Sequence, residues 1–283
     1  MKEQIVSCYN CKSEESNLYD IENGYRYVRC KGCGLIYLDQ LPDQDEIAAA
    51  HELGVHAGET EIDVTGNYKK SKIRKYVRIL SDLFDAGELR NKNLRWMDVG
   101  CGFGELLEAL NVLSDSAIFT FGTEFNKKKI QSCKSRKLNV EFIDLDQHTE
   151  KYDVISLLNV FSHLPNPPEF LEELKKNLNP GGELLIETGH TSHLEPKYHP
   201  KPYYAPDHLS FANQKVLEGI LVKLGFKIIQ TRIYRGENFP KFYDFKGLTI
   251  QFARILLNRG GSWKNFFTKH PDIDMYIRAR LSN

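Results

Sequence analysis

The stretch from Leu94 to Leu107 constrains the fold more than any other. "LRWMDVG" (94–100) is an apolar run of strand length ending in Asp98, and "CGFGELL" (101–107) spaces glycines ahead of an apolar helical pattern. An extended segment that turns through glycines straight into a helix is a β–α unit, and such units build parallel sheets with helical crossovers. The chain repeats the pattern. "IFTFGTE" (118–124), "VEFID" (140–144), "YDVISLLN" (152–159) and "GELLIET" (182–188) read as strands. "NKKKIQSCKSR" (126–136) and "PPEFLEELKKNL" (167–178) read as helices between them, and "NQKVLEGILVKLGF" with "KIIQTRIY" adds a last helix and strand. The expected class is α/β, an open, mostly parallel sheet covered by helices on both faces.

At 283 residues the chain can bury one sizeable α/β domain and a small appendage. Lys+Arg and Asp+Glu balance at 38 each, so no net charge draws it toward nucleic acid or an anionic membrane. No apolar run approaches the roughly 20 residues that cross a bilayer. The opening "MKEQIVSCYNC" lacks the apolar core of a secretory signal, and a cytoplasmic location is the expectation.

Four of the six cysteines cluster as two C-x-x-C pairs, Cys8/Cys11 and Cys30/Cys33, around a hairpin with Asn23-Gly24 at its turn. Four thiolates at this spacing can surround one structural zinc tetrahedrally, so residues 1–40 are expected to form a zinc ribbon. A module this small needs metal to fold, because its own core is too small. Residues 41–66 turn polar and read as a linker with a short helix, and His51 and His56 as solvated linker histidines. Residues 67–89 carry an amphipathic helix, with the lysines and arginines from Lys69 to Arg78 on its solvated face. Residues 241–283, with "LTIQFARILL" and "MYIRARL", read as a C-terminal helical extension.

Glycines at 100, 102 and 104 let backbone approach a ligand closely, beside the unpaired N–H groups of a helix start. Glu124 ends the next strand, where a carboxylate can accept hydrogen bonds from both hydroxyls of a ribose. With "DVGCGFGELL" and "GTEFN", residues 67–235 resemble the class I S-adenosylmethionine-dependent methyltransferases, with their Rossmann-like sheet. The resemblance makes residues 67–240 the S-adenosylmethionine-binding domain. It implies that Gly100, Gly102 and Gly104 line the methionine and ribose portion and that Glu124 binds the ribose. Asp146, or alternatively Asp144, would sit at the adenine amine with Leu145 at the ring; Asp98 and Asn159, at strand ends, complete the set. A dinucleotide site fits less well, because Glu105 stands where G-x-G-x-x-G requires glycine.

Such an enzyme must position an acceptor atom and manage its proton, a task that suits histidine. Ligands of this fold bind beyond the carboxyl ends of the strands. "NVFSHLPNPPEF" (159–170) places His163 there, and "HTSHLEPKYHPKPYYAPDHLSF" (190–211) adds His190, His193, His199 and His208 on a long loop. Together with the four-cysteine ribbon, these segments are similar to the zinc-containing deoxysugar C-methyltransferases, which act on nucleotide-linked keto sugars. The similarity implies His208 as base beside Asp207, assisted by His163 and Tyr204, although Ala205 stands where that family has its tyrosine. It also implies a further C-terminal domain, for which this chain is too short. The expected function is methylation of a sugar, sugar nucleotide or related small metabolite, on carbon or oxygen. Zinc-ribbon rRNA methyltransferases are the alternative, disfavoured by neutral charge and an acidic first 45 residues. Loss of the metal is expected to loosen the N-terminal module without touching the cofactor pocket.

Overall fold

The computed structural model describes residues 3–4, 7–235, 252, 256 and 272–282. At the N-terminus lie β1 (Glu3–Gln4), β2 (Ser16–Glu22), β3 (Tyr25–Cys30), β4 (Ile36–Leu38) and β5 (Gln40–Leu41). The β2–β3 turn is Asn23-Gly24, both with positive φ (52° and 77°), as a tight hairpin requires. The two C-x-x-C knuckles share one geometry. The Cys8 N–H donates to Ser13 O and the Cys30 N–H to Leu35 O, each at 2.9 Å, while Lys12 and Gly34 N–H groups turn back onto Cys8 O and Cys30 O. Lys12 and Gly34 occupy the matching left-handed position, φ 61° and 79°. The sulfurs converge as a result: Cys8–Cys33 at 3.6 Å and Cys11–Cys30 at 3.4 Å, with all four within 4.8 Å. Zinc about 2.3 Å from four tetrahedral sulfurs holds them about 3.8 Å apart, so the cysteines fit one such ion.

Residues 41–66 carry the short helix expected there and a small hairpin. Asp43 and Glu46 form a complete capping box that starts α1 (Gln44–Leu53), and Gly54 (φ 76°) ends it. A side chain at Gly54 would place Cβ 2.3 Å from Thr65 Oγ1, so the chain passes here only as glycine. It continues into the small hairpin β6 (Val55–His56) and β7 (Ile62–Asp63).

The remaining elements are α2 (Lys70–Leu83), α3 (Ala86–Leu89), β8 (Arg95–Val99), α4 (Glu105–Ser114), β9 (Phe119–Thr123), α5 (Lys127–Ser135), β10 (Val140–Glu141), β11 (Tyr152–Leu158), α6 (Pro167–Leu174), β12 (Leu178–Gly189), β13 (Ser210–Phe211), α7 (Gln214–Lys223), β14 (Phe226–Arg235) and β15 (Asp272–Leu281). The central sheet runs β10-β9-β8-β11-β12-β15-β14. It is parallel from β10 to β12, and β15 is antiparallel to both its neighbours. Side chains alternate across it. Met97, Ile155, Leu184 and Ile186 pack against Leu171 of α6 and Leu217 and Ile220 of α7, whereas Trp96, Val154 and Leu185 meet Leu80 of α2 and Leu106 and Leu110 of α4. This is the Rossmann-like α/β architecture that the sequence predicts.

Two expectations change. "MYIRARL" is not a terminal helix: it lies in β15, between β12 and β14. A strand covered on both faces shows no polar–apolar alternation, and its arginines are accommodated by pairing. Buried Arg278 donates to Glu183 and Glu88 at 2.6 Å each, and Arg280 to Glu183 at 2.6 Å. The sheet therefore needs residues beyond 240. "LTIQFARILL" falls outside the described residues except for Phe252 and Leu256. No described helix is long and apolar enough to cross a membrane.

β13 joins the N-terminal sheet rather than the central one, giving the order β13-β4-β3-β2. The long loop after β12 is thereby bound into the cysteine module.

Candidate active site

A cleft of about 500 Å³ opens beyond the carboxyl ends of β8, β9 and β11, where this fold binds ligands. Its floor is the glycine turn after β8. A side chain at Gly100 would drive Cβ to 2.6 Å from Val160 Cγ2, whereas Gly102 (φ 56°) faces open space. Gly104 does not line the cleft. It caps α4 with φ 77°, and a Cβ there would meet Leu138 Cδ1 at 2.6 Å, so its glycine serves close packing beneath the loop.

Glu124 fixes this floor. Its Oε2 accepts the Gly102 N–H at 2.8 Å, and its Oε1 accepts the Phe125 and Asn126 N–H groups at 3.0 and 2.9 Å. Asp98 is buried beside it. The Ser156 hydroxyl donates to Asp98 at 2.6 Å and is itself held by the Trp96 indole N–H at 2.8 Å. Burial pushes the Asp98 carboxyl up to about 7, against the Ser156 hydrogen bond and with help from the charges of Glu124 and Glu105. Leu145 and the exposed Asn159 line the cleft. Asp146 does not. Asp144 accepts the Asp146 N–H at 3.0 Å in a local turn, and this carries the Asp146 carboxylate outward to Lys176. Asp144 is likewise taken up by that turn and by Gln147 at 2.6 Å. The aromatic pair Phe125–Phe142, centroids 4.8 Å apart, stands at the cleft instead; the sequence signals it only as apolar residues just past strand ends.

The opposite wall is built from histidines and one aspartate. His163 ends the 3₁₀ turn Phe161–His163 after β11. Its Nδ1 lies 3.0 Å from Asp207 Oδ1 and 2.9 Å from the Asp207 carbonyl oxygen. A carbonyl only accepts, so Nδ1 carries a proton, and in the neutral imidazole Nε2 keeps the lone pair. Burial works against charging His163, but the Asp207 charge and its hydrogen bonds outweigh it and raise the imidazole above its ordinary value. Burial pushes the Asp207 carboxyl up, yet His163, His56 and His208 together hold it far below the usual carboxylate range.

His51 and His56 are not solvated. His56 is 3% exposed, and its Nε2 approaches Asp207 Oδ1 at 2.9 Å. His51 lines the cleft, its ring centroid 6.1 Å from that of His163, and burial followed by the His163 charge depresses it to about 4. Their signal was hidden in a polar segment whose burial depends on the capping box and on Gly54. Asp207 therefore pairs with His163 and His56 rather than orienting His208. The His208 ring packs edge-on behind His163 at 4.8 Å, away from the cleft lining, and burial with the His163 charge lowers it to about 4. Tyr204 is 42% exposed and lies outside the lining residues. The other loop histidines hold structure: His199 Nδ1 meets Tyr19 at 3.0 Å, and His190 Nδ1 accepts the Gln214 N–H at 3.0 Å, with His193 packed on its ring. His51, His163 and Asp207 also have metal-compatible spacing, within 4.8 Å, but His163 Nδ1 and Asp207 Oδ1 are already committed to each other.

The cysteine module holds this wall in place. Tyr27 donates to His208 O at 2.7 Å, the Leu38 N–H to Leu209 O at 2.9 Å, and Asn23 to Ala205 O at 2.8 Å. The Glu22 carboxylate accepts the Tyr203 and Ala205 N–H groups at 2.8 and 3.1 Å. Asp207 sits inside this run. The ribbon is thus mechanically joined to the wall of the cleft that carries Asp207.

A family model described as a methyltransferase domain matches residues 68–231. A tRNA U34 carboxymethyltransferase of Nautilia profundicola is 37% identical over 109 residues, 35% of this chain and 35% of that protein. A mitochondrial ubiquinone biosynthesis O-methyltransferase of Dictyostelium discoideum is 27% identical over 114 residues, 34% of this chain and 36% of that one. The matched region spans about a third of the length of these curated relatives. A solved Galdieria sulphuraria structure, assigned as a sarcosine dimethylglycine methyltransferase, superposes with TM-score 0.53 at 14% identity, over 85% of this chain and 99% of that one, a likeness of fold. With the domain matched over more than half of its residues, on a sheet and glycine turn of the matching form, the chain belongs to the methyltransferase-domain family.

Proposed function

We propose that this chain transfers a methyl group from S-adenosylmethionine to a small-molecule acceptor, with His163 as general base and Asp207 orienting it. The observation that carries the reading is the His163 tautomer: a base-competent Nε2 on a wall of the same cleft whose floor is the Gly100–Gly102 turn and Glu124. When bound, S-adenosylmethionine supplies a methyl group already activated on a sulfonium. Glu124 would hold the ribose hydroxyls, the open face of Gly102 would admit the ligand against backbone, and Phe125 and Phe142 would flank the adenine. Asp98, whose carboxyl burial raises to about 7, would be held in its charged form beside a cationic ammonium group. His163 Nε2 takes the acceptor proton, and the imidazolium that forms is stabilised by the Asp207 carboxylate. The four cysteines would hold a structural zinc, closed to chemistry because no ligand position stays open.

The acceptor we favour is a sugar, sugar nucleotide or related small metabolite, methylated on carbon or oxygen. This rests on the resemblance of the ribbon and the two histidine segments. An RNA acceptor fits less well with a balanced charge. The test is calorimetry with S-adenosylhomocysteine, followed by transfer of labelled methyl to a panel of nucleotide sugars with rRNA and tRNA in parallel. Binding and transfer to a nucleotide sugar are expected. Transfer to RNA alone would replace the acceptor reading, and absence of binding would end the catalytic one.

A further inference from the structure

We infer that His56 is a positioning residue that acts on His163 through Asp207, so that the base is set by three segments of the chain. The inference rests on His163 being the base, and it adds a residue from a stretch that composition marks as a linker.

Three observations converge on it. First, His56 Nε2 is buried, satisfies no hydrogen bond among the described residues, and lies 2.9 Å from Asp207 Oδ1, within ion-pair range. The same oxygen receives the His163 Nδ1 proton at 3.0 Å. Two imidazoles thus share one carboxylate oxygen, and the position of Asp207 is fixed from both sides. Second, the placement of His56 is over-determined. The Asp43–Glu46 capping box aims α1, Gly54 reverses the chain against Thr65, and β6 pairs His56 with Ile62. Third, the same segment is tied to the donor side of the cleft. The Asn126 amide donates to Glu52 O at 2.9 Å, and Lys127 pairs with Glu52 at 2.5 Å. Asn126 is also the residue whose N–H holds Glu124. Residues 52–56 therefore bridge the loop that would hold the ribose to the carboxylate that orients the base.

The consequence is electrostatic as well as steric. An imidazole nitrogen 2.9 Å from Oδ1 competes with His163 for the charge on Asp207. Besides Asp207, His163 is faced by the rings of His51 and His208 and by the Lys129 ammonium, and none of these touches Asp207 Oδ1 in the way His56 does. Removing the His56 contact should leave Asp207 a stronger acceptor and move the His163 titration upward. It should also free the carboxylate to turn, which slows the proton step.

The experiment compares His56→Gln, whose amide nitrogen reaches the Nε2 position, with His56→Asn, which is too short. Histidine-ring NMR titration reads the His163 pKa and tautomer without any acceptor. Calorimetry with S-adenosylhomocysteine reads the donor site, and circular dichroism confirms folding. His56→Asn should shift the His163 titration upward and cut turnover by about 10- to 100-fold. His56→Gln should stay near the parent in both, and both variants should keep the parent affinity for S-adenosylhomocysteine. If His163 titrates identically in all three proteins, or if Gln behaves as Asn does, the positioning role is overturned and His56 only supports the fold. His56→Leu provides a second break of the contact should the Asn variant not fold. Failure of the methyltransferase reading is separately visible, because the parent protein would then bind no S-adenosylhomocysteine.

Discussion

The two walls of the cleft are built by opposite means. The donor wall is local: Asp98, Gly100 and Gly102 lie within one strand and turn, and Glu124 ends the neighbouring strand and is pinned by three backbone N–H groups. The acceptor wall is assembled from distance. His56, His163 and Asp207 come from three segments, and each is oriented by a side chain of another or by the cysteine module. Backbone geometry tolerates the loss of a side chain, but a constellation of side chains on borrowed supports does not. Damage to the acceptor wall should therefore abolish chemistry and spare donor binding, and damage to the donor wall should do the reverse.

The sharpest break is His163→Ala. It should lower turnover by about 10²- to 10⁴-fold, the usual contribution of a general base, while calorimetry finds S-adenosylhomocysteine binding unchanged. His208→Ala provides the contrast. Its ring packs behind His163 and its imidazole is depressed to about 4, so its loss should cost much less. Equal losses in the two variants would return the base role to His208.

Next in size is Cys30→Ser, or chelation of the zinc proposed for the four cysteines. The ribbon sheet carries β13 and, through Glu22, Asn23 and Tyr27, the backbone from Tyr203 to His208. Its loosening should raise hydrogen exchange across residues 203–211 and lower turnover by on the order of 10²-fold, the effect of misplacing a base by about 1 Å. Donor binding should persist. If it fell in parallel, the two walls would not be independent.

The same contrast explains what could be read from the sequence. The glycine spacing around Gly100 and Gly102, the Glu124 strand end and the paired cysteine knuckles are short-range patterns, and short-range geometry makes them legible. The acceptor wall has no such pattern. His51 and His56 sit among polar residues, and only the assembled fold shows that the chain after α1 turns inward. Asp207 does stand next to His208 in sequence, but adjacent residues along a backbone often point apart, and its carboxylate found His163 instead. Asp146 misled for a local reason, because the Asp144 turn reversed its direction. β15 was illegible because a central strand with paired buried arginines has the composition of an amphipathic helix.

On the donor wall, Glu124→Gln replaces a carboxylate that accepts three N–H groups with an amide whose NH₂ must face donors. Hydrogen bonds to charged groups contribute about 1.5–3 kcal/mol each. The S-adenosylhomocysteine dissociation constant should therefore rise by about 10- to 100-fold. At saturating donor, turnover should recover, because His163 and Asp207 are untouched. Turnover that stays low at saturation would mean that the glycine turn also shapes the acceptor wall.

The smallest expected effect concerns stability. Asp98 is raised by burial from an ordinary 3.8 to about 7, so its carboxyl contributes stability that is full below about 3.8 and is lost as pH rises through 7. Asn at this position is neutral at every pH and can still accept the Ser156 hydroxyl. Asp98→Asn should therefore melt close to the parent at pH 4 and above it at pH 8, by on the order of a few degrees. The gain should accumulate between those limits and level off above 7. The same variant should bind S-adenosylmethionine more weakly at pH 8, where Asp98 carries a charge that a bound ammonium would pair with and Asn carries none. A melting difference that does not change with pH would place the cost of Asp98 in packing rather than in its buried charge. Unaltered binding would remove Asp98 from the donor site and leave Glu124 as its principal side chain.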